Sequence, residues 1–178
     1  MRAVLDVNVL VAAILSRDGA PADVVRAWRL GRFELVVSPA LLGEMERVLT
    51  YPKIRRRIPE RDAAAFVALL RREPLLNDPA APPPVRPADP GDDYVVALAM
   101  SARAVIVSGD AHLLRLGDRL PVFSPAAFLA ELRRTVAALD AQGMETEPST
   151  PDELRRRIRS EIDKWRNLVA AAGIHTEP

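Results

Sequence analysis

Cysteine is absent from all 178 residues, which excludes disulfides and thiolate metal sites and suits a reducing compartment. Neither sign of charge dominates: 25 lysines and arginines stand against 24 aspartates and glutamates, so global charge does not announce a nucleic-acid binder. Long hydrophobic runs are also missing. Arg2, the apolar residues after it and Ala20-Pro21-Ala22 faintly imitate a signal peptide, but Asp6 and Asn8 interrupt the run. The uninterrupted part, Val9–Leu15, is short for a signal core and far too short to span a bilayer. A cytoplasmic protein with no membrane association is therefore expected. What the chain does have is 49% hydrophobic residues and enough length for one domain with a real core, plus an appendage.

Strand and helix signals alternate, which predicts an α/β fold with a mainly parallel sheet covered by helices. Val4-Leu5 reads as a buried strand, and Asn8 is placed to cap a helix through Leu15. Pro21 begins a second helix, stopped by Gly31; Phe33–Val37 reads as the next strand, and Ser38-Pro39 starts a third helix reaching about Thr50. Tyr51-Pro52 ends it, followed by Lys53, Arg55, Arg56 and Arg57, a run that suits either a solvated face or a phosphate-contacting rim. A fourth helix covers about Pro59–Glu73. The proline-rich segment Pro74–Pro90 reads as an extended connector, with Leu75-Leu76 a candidate short strand. Then come a helix over Tyr94–Ala102, a strand at Ala104–Val107, a short helix near Ala111–Leu116, Val122-Phe123, and a helix at Ala126–Arg134 opened by Ser124-Pro125.

Acids recur at equivalent places in this alternation. Asp6 and Asp110 each follow an apolar strand, an acid of Asp89-Pro90-Gly91-Asp92-Asp93 opens a helix, and Glu44 or Glu46 lies on the helix after Ser38. Periodicity alone does not choose between the two glutamates, and each acid also has an ordinary reading as a cap, a first-turn residue or a helix flank. In a parallel sheet, however, strand ends and the following helix N-termini share one edge. Carboxylates about 4 Å apart repel by about 4 kcal/mol at an effective dielectric near 20, so such a cluster needs cations or bound protons. Hard divalent ions such as Mg²⁺ or Mn²⁺ prefer oxygen ligands, and an all-carboxylate site suits metal-assisted phosphodiester hydrolysis.

The segments Leu5-Asp6-Val7-Asn8-Val9-Leu10-Val11, Ser38-Pro39-Ala40-Leu41-Leu42-Gly43-Glu44, Asp89-Pro90-Gly91-Asp92-Asp93, Ala97-Leu98-Ala99 and Val107-Ser108-Gly109-Asp110 together resemble the PIN-domain family of metal-dependent nucleases, including VapC-type toxins. The likeness runs from Met1 to about Arg134. It implies a three-layer α/β/α fold and a Mg²⁺- or Mn²⁺-dependent endoribonuclease, the toxin component of a bacterial toxin–antitoxin system. It also implies a small antitoxin partner and dimer formation, which is common in the family. It selects Asp6, Glu44, Asp92 and Asp110 as catalytic, metal-holding acids, Asp92 because of its spacing to Ala99. Asn8 would orient Asp6 or the attacking water, and Ser108 would support the site. His112 stands where a further acid is frequent in the family. Arg55, Arg56 and Arg57 are weaker candidates for RNA contact. A catalytically silent RNA- or partner-binding module and another Mg²⁺-dependent α/β phosphohydrolase are the rival readings; the second lacks an Asp-x-Asp signature, since Asn8 follows Asp6.

Residues 135–178 are expected to form a separate tail. Ser149 or Thr150 would cap a helix spanning about 151–172, with Leu154, Ile158, Ile162, Trp165 and Val169 as its stripe and Gly173 as its end. From about Leu139 to Ile174 this tail resembles the C-terminal end of tripartite tricarboxylate transporter periplasmic substrate-binding proteins. Without the ligand-binding domains or an export signal, that resemblance implies a fusion remnant rather than transport.

Overall fold

The computed structural model describes residues 1–73, 78–79, 82–141 and 151–171. Four parallel strands form the sheet: β1 (Arg2–Leu5), β2 (Glu34–Leu35), β3 (Val105–Val107) and β4 (Val122–Phe123), in the order β2-β1-β3-β4. Ala3, Val4 and Leu5 are all fully buried. Successive strand residues face opposite sides, so the central strand is covered on both faces, as a three-layer α/β/α arrangement requires.

The helices are α1 (Val7–Leu15), α2 (Ala20–Arg29), α3 (Pro39–Leu49), α4 (Pro52–Arg55), α5 (Glu60–Leu70), α6 (Asp93–Ala102), α7 (Ala111–Leu114), α8 (Pro125–Ala141) and α9 (Pro151–Ala171). Short 3₁₀ turns cover Pro90–Asp92 and Arg115–Asp118. Three details differ from expectation. Asp6, not Asn8, caps α1, because its carboxylate reaches the backbone N–H of Asn8. The basic run contains a helix of its own, α4, since Pro52 both blocks continuation of α3 and supplies a preset first helical residue. The helix expected to end at Arg134 continues to Ala141. The expected strand at Leu75-Leu76, the caps Ser149 and Thr150, and Gly173 lie outside the described residues, as do the side chains of Trp165 and Val169.

One core gathers β1, α1, α3, α6 and β3 around Leu5, Leu10, Leu41, Met45, Leu98 and Ile106. Phe128 of α8 closes it over Phe33, with the rings edge to face and centroids 5.0 Å apart. The chain divides into two compact units, Met1–Thr146 and Glu147–Pro178, the second carrying α9. Among the described residues no helix is long and apolar enough to cross a membrane.

Candidate functional site

The strand order reverses direction between β1 and β3. At such a point the connections leaving neighbouring strands diverge, and a crevice opens outside the strands' carboxyl ends. Asp6 and Asp110 follow the two strands that flank it. Leu5 registers with Val107, and the pairing extends one step further through a 3.0 Å bond from the Asp6 backbone N–H to the Val107 carbonyl.

Asp6 is buried, at 4% exposure. Both of its oxygens are bonded, as a buried polar group requires. Oδ1 accepts from the Asn8 N–H at 3.1 Å, and Oδ2 accepts from the Ser108 hydroxyl at 2.6 Å. Ser108 is itself fully buried, and its Oγ accepts from the Asp110 N–H at 2.9 Å. Asp110 caps α7 by accepting from the His112 N–H at 2.6 Å. One serine hydroxyl thus joins the ends of β1 and β3. Asn8 serves Asp6 through its backbone; its own side chain is exposed.

Asp92 closes the 3₁₀ turn before α6, with Asp89 capping that turn through the Gly91 N–H at 2.8 Å. Burial pushes the Asp92 carboxyl up to about 6, and the negative charges of Asp6, Asp89 and Asp110 push it the same way, while His112 opposes them. The neighbouring Asp93 is committed elsewhere, its Oδ2 lying 2.8 Å from the Arg86 guanidinium.

Glu44 lies half-buried on α3. Its two oxygens face Arg47, 2.5 Å from Nη2 and 2.8 Å from Nε. Tyr94, on the first turn of α6, has its phenol held well above the ordinary range by burial, with the charges of Asp6, Glu44 and Asp92 acting in the same direction and Arg47 against. Its hydroxyl therefore stays protonated in the field of acids from three different segments. Asp6, Asp92 and Asp110 share one electrostatic neighbourhood, and Glu44 joins it from the α3 side. Among the described residues no three Asp, Glu or His side chains close into a ready-made metal-ligand group. The bonds just given account for that: Asp6, Asp110 and Glu44 are turned toward N–H, hydroxyl and guanidinium donors.

The remaining candidates, His112 excepted, lie apart. Glu46 pairs with Arg71 at 2.5 Å on the opposite flank of α3. Arg55 lies 3.7 Å from Glu60 and lines, with Glu46 and Arg71, a groove between α3 and α5; Arg56 and Arg57 are exposed. His112 is exposed and touches the site through its backbone. Two residues at the site, Tyr94 and Arg47, were not expected. Their signals were present, since Tyr94 follows Asp92-Asp93 directly and Glu44, Arg47 and Tyr51 follow the i,i+3 and i,i+4 spacings that bring side chains together on a helix.

A family profile described as PIN domain matches residues 2–112. No curated protein is significantly similar to the chain. Among solved structures, VapBC2 from Rickettsia felis, crystallised bound to a DNA fragment from their promoter, is similar at 12% identity and a TM-score of 0.48, over 70% of this chain and 98% of that one.

Proposed function

The chain belongs to the PIN-domain family, and from that membership we propose that it is a Mg²⁺- or Mn²⁺-dependent endoribonuclease acting through Asp6, Glu44, Asp92 and Asp110. The observation that carries this reading is the meeting of Asp6 and Asp110 at the reversal point of the sheet, joined by the Ser108 hydroxyl, with burial and the charges of Asp6, Asp89 and Asp110 pushing the Asp92 carboxyl up beside them. A pocket that crowds carboxylates until one holds a proton near neutrality favours a hard cation in that proton's place. The donor set fits, being all oxygen. Asp6, Asp92, Asp110 and Glu44 would hold the ion, which when bound supplies acidification of water and neutralisation of charge on the leaving oxygen.

The protein's own contributions are positional. Ser108 holds Asp6 and the Asp110 backbone at a fixed separation across two strands. Tyr94 supplies a neutral O–H toward an anionic phosphate oxygen. Water adds to phosphorus and the bond to the 3′-oxygen breaks, leaving a 3′-hydroxyl and a 5′-phosphate. Arg55, Arg56 and Arg57 would meet only an RNA long enough to pass along α3.

In the cell this activity fits the toxin half of a toxin–antitoxin pair, held silent by a small cognate protein and acting as a homodimer in the cytoplasm. The decisive test is cleavage of a mixed RNA pool with Mn²⁺ and with EDTA, beside Asp92→Asn and a generic phosphomonoester. RNA cleavage that requires Mn²⁺ and is lost in the variant is expected. Full cleavage in EDTA, or hydrolysis of the monoester alone, would overturn the reading.

A further inference from the structure

A cation that took both oxygens of Glu44 would displace its present partner. Both of its oxygens face the forked donors of Arg47, the geometry in which a guanidinium holds a carboxylate most specifically. Arg47 is in turn seated on α3's next turn: its guanidinium carbon lies 5.3 Å from the centroid of the Tyr51 ring, and Nη1 hydrogen-bonds the Tyr51 hydroxyl. Arg47 and Tyr51 are both exposed, at the solvent side of the half-buried Glu44. Glu44 and Tyr94 lie on helices that pack together, α3 and α6, and the negative charge of Glu44 acts on Tyr94 along with those of Asp6 and Asp92.

From this arrangement we infer that Arg47 is a gate on the acidic pocket, releasing Glu44 to a divalent cation as its guanidinium turns to a phosphodiester of single-stranded RNA. The inference rests on the metal-dependent nuclease reading and assigns that site a coupling. A guanidinium that leaves a carboxylate needs another oxyanion, and a phosphate matches its fork equally well. The exposed Tyr51 ring beside it offers a stacking surface of the kind that unpaired bases use. Cation and RNA each break the same ion pair, so whichever binds first relieves the second of that cost. Binding of the two is then reciprocal and positive. A bare helix-stabilising i,i+3 pair predicts no such linkage.

Two measurements on the intact chain decide it. Free Mn²⁺ counted by electron paramagnetic resonance, without RNA, should show Arg47→Gln binding the ion roughly two- to fivefold more tightly than wild type, the worth of an exposed ion pair, with Arg47→Lys in between. Fluorescence anisotropy of a labelled single-stranded RNA in EDTA, where cleavage is suppressed, should show Glu44→Gln binding more tightly than wild type. That gain should vanish in the Glu44→Gln/Arg47→Gln double variant, whereas a general loss of repulsion would persist there. Equal Mn²⁺ affinity in wild type and Arg47→Gln, or a gain that survives in the double variant, overturns the gate and leaves the nuclease reading standing. Failure of wild type and variant alike to bind Mn²⁺ removes both.

Discussion

Ser108 shows how much of the site one small side chain holds. It has no exposed surface, donates to Asp6 Oδ2 and accepts from the Asp110 N–H. Ser108→Ala leaves a buried carboxylate oxygen without its donor, a loss of about 1–3 kcal/mol. Urea unfolding of the variant should show that decrease, with RNA cleavage falling alongside. Asp92 acts in the opposite sense. Its folded-state pKa, about 6, lies above the ordinary 3.8. The stability linked to its proton is therefore complete below about pH 4 and is lost as pH rises through about 6. In EDTA at pH 7.5, Asp92→Asn should be more stable than wild type, by up to about 1 kcal/mol once solvent screening is allowed for. At pH 4 the two should melt together. A variant that is less stable than wild type at pH 7.5 would show that the carboxylate is not under strain there. Glu44 is the residue where periodicity stopped short: two glutamates flank one stripe, and only their surroundings in the fold separate them, Glu46 pairing with Arg71 at α5's far end while the charge of Glu44 acts on Tyr94 of α6.

At the scale of elements, most boundaries were readable because their chemistry is local. Ser38 caps α3 by accepting from the Leu41 N–H, and Pro39 takes its first position. Asp110 follows β3 and caps α7. Local chemistry left other features less plain. Pro52 carries a stop signal and a start signal in one residue, so α4 was lost behind the end of α3. The bounds of β2 are only Glu34–Leu35, although its ladder to β1 runs on through the Val36 N–H, which donates to the Ala3 carbonyl at 2.9 Å, to a bridge at Val37, so the apolar run marks the pairing better than the strand bounds do. The C-cap of α6 was equally hidden. Arg103 sits there at φ 51 and ψ 45, a left-handed conformation that glycine adopts without a Cβ penalty. Its side chain is exposed, so little packing is lost on removal. Arg103→Gly should therefore stabilise the protein by about 1 kcal/mol, read as a rise in urea midpoint with an unchanged slope. A fall in midpoint would mean that the arginine side chain carries contacts outweighing the strained backbone.

For the whole molecule, the question is what the second unit contributes to the first. Within Met1–Thr146 the hydrophobic core cluster of the described residues reaches from Ala3 to Leu132 of α8. Leu154, Ile158 and Ile162 are each about half exposed. Exposed apolar side chains at that spacing add little to a helix's own stability, since most helical stability in proteins comes from packing an apolar face. The all-parallel sheet, its reversal point and the acids beside it are all complete within Met1–Thr146. A chain ending at Thr146 should therefore keep the unfolding midpoint and Mn²⁺ affinity of the full protein, while helical circular dichroism falls by the share due to α9. If the shortened chain instead loses a large part of its stability, then the face of α9 carrying Leu154, Ile158 and Ile162 is part of the folding unit. The tail would then have been built into the domain as a structural element and would no longer be read as an appended helix.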